Sequence, residues 1–176
     1  MPRPNSTEYA PYFEAYIALV PEDDIVATME AQLKEMQPFL QGVPESQGNV
    51  RHPPYTWSIK EVVGHLTDTE RIFAYRALRF ARGDATPLPG FDENAYVRAA
   101  EFDRTPLGEL VSEFDSVRRS NLSLFRHFSE EVWTRQGTAN GKAISVRALA
   151  YNIVGHARHH MAILRRRLSE KSSSRR

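Results

Sequence analysis

Apolar residues recur at three- and four-residue intervals through four long stretches of the chain, and polar, turn-rich segments separate them. That period marks helices that each bury one face. The first stretch opens at Pro21, where Glu22, Asp23 and Asp24 suit the positive end of a helix dipole, and Ile25, Met29, Leu33 and Met36 form a stripe reaching about Leu40. A weaker helical spacing of Tyr9, Phe13, Tyr16, Ile17 and Val20 precedes it, behind what reads as a loose leader over residues 1–7. The second begins with Ser58-Ile59-Lys60-Glu61, a capping box, with Trp57 and Val62 spaced as a hydrophobic staple, and runs to about Arg82 before Gly83. The third takes Thr105 as cap and Pro106 as first residue, with the stripe Leu107, Leu110, Phe114, Val117, Leu124 and Phe128. Ser145 caps the fourth, which reaches about Leu168.

The intervening segments predict turns. Residues 41–55 carry three prolines and read as a loop, and residues 84–103 form a connection too long to be a simple turn. Between Val132 and Ile144 the helical period fails, and Asn140-Gly141 between short β-prone pieces predicts a small hairpin. The expected architecture is all-α: a four-helix bundle with a small hairpin before the fourth helix. It forms a single domain over residues 1–168, followed by a disordered basic tail over residues 169–176.

Chemistry enters where the stripes are interrupted. On the fourth helix His156 and His160 share a face with Leu149, Ile153 and Leu164, so two imidazoles one turn apart stand where core residues belong. On the second, His65 shares its face with Glu61, Thr69, Ile72 and Arg76. Polar groups on a buried stripe are costly unless they pair with one another, with water or with a metal. The chain has no cysteine, which leaves His, Asp and Glu as its metal ligands and excludes disulfides and thiolate nucleophiles. His65 is the natural third ligand to the pair His156 and His160, because bundles build metal sites from inward side chains on facing helices.

Other residues carry two readings each. Glu61 either accepts the second ring N–H of His65 or is occupied by its capping box. Asp92, Glu93 and Asn94 either line the site and handle protons or form a solvated turn. Arg76 either holds an anionic group or makes an internal salt bridge. His159, turned roughly 60° from His156, is a spare ligand or a surface group, while His52 and His127 read as ordinary histidines. Lys and Arg total 23 against 22 for Asp and Glu, a net charge of +1, which argues against a specific nucleic-acid partner; the basic tail offers weak phosphate attraction at most. Without an apolar leader or a run of roughly 18 apolar residues, no membrane association is expected and the reading is a cytoplasmic protein.

In order and spacing, Trp57-Ser58-Ile59-Lys60-Glu61, His65, Tyr75-Arg76-Ala77, Pro89-Gly90-Phe91-Asp92-Glu93-Asn94 and Gly155-His156 through His160 resemble the DinB/YfiT-like superfamily of metal-binding helical bundles, over roughly residues 20–168. The resemblance implies a long crossover between the second and third helices and a divalent metal on His65, His156 and His160. It also implies a possible homodimer and, from thiol-dependent isomerases and S-transferases in the family, a low-molecular-weight thiol among the small-molecule substrates. The expectation is a metal-dependent enzyme of thiol-transferase or hydrolase type, with zinc, nickel or iron as the ion and Glu61 or the Asp92-Glu93-Asn94 turn moving protons. The alternative is a non-catalytic stress-response or interaction protein with a structural or vestigial metal site.

Overall fold

Four helices carry the fold, and smaller elements fill the gaps between them. The computed structural model describes residues 2–173. Two 3-10 turns, Ser6–Glu8 and Pro11–Phe13, lead into α1 (Glu14–Ile17). Then come α2 (Ile25–Gln41), α3 (Glu45–Gly48), α4 (Ile59–Ala81), α5 (Glu93–Ala100) with a 3-10 turn at Phe102–Arg104, α6 (Leu107–Arg126), α7 (Glu130–Thr134), the strands β1 (Gln136–Ala139) and β2 (Lys142–Ser145), and α8 (Val146–Ser173). No helix among the described residues is long and apolar enough to cross a membrane.

Helices α2, α4, α6 and α8 make the bundle. Both α2 and α4 pack on α6 and on α8, so α2 and α4 stand on a diagonal. Side-chain pairs fix the directions. The carbonyl of Trp57, ahead of α4, accepts from Arg167 late in α8, so those helices run antiparallel. Lys60 at the start of α4 donates to the Asp103 carbonyl ahead of α6, and Arg71 pairs with Glu113, so α4 and α6 run parallel. Parallel neighbours cannot be joined by a short turn. The segment from residue 82 to 106 therefore has to carry the chain back along the 23 residues of α4, roughly 34 Å.

The hairpin pins that segment. Asn140 (φ 51°) and Gly141 (φ 69°) are both left-handed, as a two-residue hairpin turn requires. The Leu88 N–H donates to the Thr138 carbonyl and the Asn140 N–H donates back to the Leu88 carbonyl, each at 2.9 Å, which holds the Gly90-Phe91 turn over one end of the bundle.

The stripe of the first bundle helix and the capping box at Ser58 form as the sequence indicates. Other expectations need correction. Helix α2 starts at Ile25, not Pro21: the Asp24 carboxylate caps the Ala27 N–H, while Glu22 is drawn to Arg158 and the carbonyls of Glu22 and Asp23 accept from Tyr151. Residues 2–7 are no loose leader, since Pro4 is buried and Arg3 donates to the Ile17 carbonyl. Pro106, not Thr105, is the cap of α6, and the Glu45 carboxylate takes the free Leu107 N–H at 2.8 Å. The buried face of α6 turns away from Val117 and Leu124 toward Arg118, Asn121, Leu122 and Phe125, because Arg118 forks onto the buried Glu70 of α4. Helix α8 continues past Leu168 to Ser173, into the stretch expected to be disordered; the end of that tail, residues 174–176, lies outside the described residues.

Candidate metal centre

His65 sits in the second turn of α4, and His156 and His160 lie midway along α8, which runs antiparallel beside it. The Nε2 atom of His156 is 3.0 Å from that of His65 and 3.1 Å from that of His160. A ring nitrogen carries one N–H or one in-plane lone pair, so His156 Nε2 cannot make good hydrogen bonds to both neighbours. Three imidazole nitrogens converging on one point are instead what a shared cation explains. Nitrogens held at about 2.0–2.1 Å by one tetrahedral ion stand roughly 3.3 Å apart, near the spacing seen. One donor atom from each of the three residues falls within 4.8 Å of the others, and among the described residues no fourth His, Asp or Glu joins them. The donor set fits a divalent cation with a position left open.

Burial makes these imidazoles poor bases. Loss of solvation lowers the His65 pKa from 6.5 to about 4 and that of His160 to about 3, the latter helped by repulsion from His65 and His159. His156 is held well below its usual value by burial first, then by its three histidine neighbours. Neutral rings with free lone pairs are the form that binds metal.

The three rings line a cavity of about 460 Å³. Trp57 covers one side, its ring 4.7 Å from that of His65 and stacked on His160 at 6.3 Å. Tyr16 covers the other, edge-on to His156 at 5.4 Å and to His159 at 5.6 Å. Gly155 allows this approach, because a Cβ there would lie 2.0 Å from the Tyr16 carbonyl oxygen. Along α4, Thr69 and Phe73 continue the wall to Arg76, and the Gly90-Phe91 turn meets it from the crossover.

The predicted residues fall into two groups. His65, His156 and His160 come together; Glu61 does not join them. Its Oε2 accepts the Ser58 N–H at 2.6 Å and its Oε1 accepts from Arg51 at 2.7 Å, so the capping reading prevails and no bond to His65 forms. Within the acidic turn, Asp92 caps α5 through the Ala95 N–H, while Glu93 lines the cavity. His159 lies on the cavity rim outside the converging group, and His52 contacts Arg167. Arg76 makes no salt bridge among the described residues; it donates to the Pro89 carbonyl at 2.7 Å. Sequence reasoning missed Tyr16 and Asn152 as cavity residues. Asn152 did carry a signal, a polar residue one turn before His156 on an apolar face, whereas nothing local marks Tyr16.

Comparison with known proteins agrees with this architecture. The family described as the DinB superfamily matches residues 28–164. An Oceanobacillus iheyensis protein named "putative metal-dependent hydrolase" is 22% identical over 165 residues, covering 88% of this chain and 94% of its own. Among solved structures, YfiT from Bacillus subtilis, described as "a probable metal-dependent hydrolase with an unusual four-helix bundle topology", superposes with a TM-score of 0.71 at 16% identity, covering 96% of this chain and 93% of that one. A mycothiol-dependent maleylpyruvate isomerase superposes with a TM-score of 0.63 at 14% identity over 80% of this chain, which spans only 61% of the isomerase.

Proposed function

The chain belongs to the DinB superfamily, and from that premise we propose that it is a metal-dependent enzyme acting on a small molecule, with His65, His156 and His160 as the ligands of one divalent ion. The convergence of three Nε2 atoms, two on buried histidines and the third on the half-buried His160, at an accessible cavity carries this reading. A structural zinc is closed by four protein ligands, whereas three ligands and an open position suit catalysis. When bound, an ion on three neutral ligands keeps its full charge and acidifies a water or thiol at the open position, as thiol transfer or hydrolysis requires. Zinc, nickel and iron all accept imidazole.

The chain's own groups do the rest. Trp57 and Tyr16 shield the histidines from bulk water, which strengthens charge interactions inside. Glu93 is the carboxylate on the cavity wall able to take up and return a proton, in place of Glu61.

The test is the metal content of untagged protein, with the His65→Ala and His160→Ala variants beside it. About one ion per chain is expected in the wild type, and most of it is lost in either variant. Full stoichiometry in either variant would remove the triad. Assays of thiol addition and of ester hydrolysis on the loaded protein then separate the two reaction types.

A further inference from the structure

Beyond the histidines, the same cavity holds polar groups that the fold leaves without partners. Asn152 is 1% exposed and, among the described residues, neither its Nδ2 nor its Oδ1 has a hydrogen-bond partner; Thr69 is 3% exposed and its Oγ1 has none among them either. Both line the cavity. Each sits one turn from a histidine of the triad, Thr69 after His65 on α4 and Asn152 before His156 on α8. Leaving buried polar groups unbonded is costly, so a fold that keeps them has a use for them.

Arg76 lies on the same wall, eleven residues beyond His65 and about 16 Å further along the helix axis. Its side chain leans back toward the start of the helix, as helical side chains do, and so toward the triad. The other deeply buried arginines are well satisfied: Arg118 grips Glu70, Arg147 grips Glu8, and Arg167 donates to the carbonyls of Val50 and Trp57 and contacts His52. Among the described residues Arg76 has the Pro89 carbonyl as its one hydrogen-bond partner, with the rings of Phe73 and Phe91 at 5.5 and 5.9 Å. A buried guanidinium with most of its donors free is an anion site awaiting an anion. The cavity's remaining charges are the rim groups Lys142 and Glu93, which cancel.

We infer that Arg76, Asn152 and Thr69 form a substrate subsite: Arg76 takes a carboxylate at the end of the cavity away from the histidines, and Asn152 with Thr69 takes an amide or hydroxyl between it and the triad. One guanidinium with one amide suits a planar monoanion; a phosphate dianion usually gathers more cations. The two unpaired atoms of Asn152 ask for a ligand that offers both an acceptor and a donor, as a secondary amide does. Phe73 and Phe91 supply the apolar walls between. The substrate is thus a slender carboxylic acid that spans from Arg76 to the triad. This rests on the metal-centre reading only for its far end.

The experiment uses three probes on the full chain, read by calorimetry. N-(3-mercaptopropionyl)glycine carries thiol, amide and carboxylate in line; its glycinamide counterpart lacks the charge; N-propionylglycine lacks the thiol. The wild type is expected to bind the acid at least about tenfold tighter than the glycinamide. N-propionylglycine binding is expected to persist in metal-free protein, so the subsite is read independently of the ion. In Arg76→Met the preference for acid disappears while metal content stays unchanged. Asn152→Leu, which loses no internal bond, is expected to melt higher than the wild type yet bind every probe more weakly. Equal affinity for acid and amide in the wild type overturns the subsite, as does a preference that survives Arg76→Met. A lower melting temperature for Asn152→Leu also overturns it, since the amide would then be satisfied already. Loss of metal binding with the preference intact would sink the proposed function and leave the subsite standing.

Discussion

The Nε2 atoms of His65 and His156 stand 3.0 Å apart although 91 positions separate the two residues in sequence, and burial keeps both rings neutral. That neutrality has a consequence for metal-free protein. Unfolded histidines take up protons near pH 6.5, while folded His65 resists to about 4 and His160 to about 3. The unfolded state therefore binds more protons in this window, and stability falls as pH drops from about 6.5 toward 4, by up to ~1.4 kcal/mol per pH unit for each histidine. Urea titrations of chelator-treated protein between about pH 7 and pH 5 measure the slope. His156→Leu should flatten it; an unchanged slope would place the titrating groups elsewhere. Carboxylates such as Glu8, whose pKa lies below the usual 4.5, contribute only at lower pH.

Gly155 and Gly108 should respond in opposite ways to alanine. A Cβ at Gly155 meets backbone, the Tyr16 carbonyl, which cannot swing aside like a side chain. Gly155→Ala is expected to cost about 1–3 kcal/mol and to push Tyr16 away from His156, weakening probe binding as well. Gly108, in the first turn of α6, has nothing within 4 Å of its added Cβ, and Gly108→Ala should stabilise by roughly 0.5–1 kcal/mol. Melting curves of the two variants decide the matter. Equal effects would mean that α1 does not bear on α8 at Gly155.

What could be read from the sequence was whatever local periodicity encodes. His156 and His160 announce themselves by a one-turn spacing on an apolar stripe, and Ser58 with Glu61 by a capping box, because helix geometry makes neighbours of such residues. His65 followed from needing a third ligand on a facing helix. Tyr16, on the short α1, and Phe91, in the crossover, reach the cavity because their segments fold back onto the bundle, and no period encodes that. Arg118 misled for a related reason. A charged residue reads as a solvent face until its partner is known, and Glu70 lies 48 positions away. Glu61 shows the reverse limit: two roles were legible, and the choice fell to Arg51, which no local pattern could bring to it.

The Glu70–Arg118 pair offers a direct measure of that hidden polar core. Arg118 is 0% exposed, donates to Glu70 through Nε at 2.7 Å and to Gln32 at 2.7 Å, while Asn121 donates to the other Glu70 oxygen at 2.9 Å. Removing one partner strands a buried charge. Arg118→Met and Glu70→Leu should each cost about 3–5 kcal/mol, and the double variant should cost clearly less than their sum. Additive losses in a denaturant cycle would show that the two charges do not depend on each other.

The N-terminal segment should govern access to the site without touching the histidines. Glu8 is 6% exposed; Arg147 donates to its Oε2 at 2.6 Å and Ser145 to the same oxygen at 2.8 Å, which ties the first turn to the base of α8. Just beyond it, Ala10, Tyr12, Phe13 and Tyr16 wall the cavity. Arg147→Met leaves the Glu8 carboxylate buried beside an apolar group, and undocking the segment relieves that cost more cheaply than unfolding the bundle. The expected result is therefore local. Chymotrypsin should cut near Tyr9 to Phe13 much faster than in the wild type, metal content should stay unchanged, and carboxylate probes should bind more weakly as Tyr16 leaves the cavity wall. Adding Glu8→Leu removes the stranded charge and should restore much of the protease resistance, because an apolar pair can pack where the ion pair stood. Protease resistance equal to wild type in Arg147→Met would show that the segment is held by its aromatic packing alone, and the ion pair would then have no part in guarding the cavity.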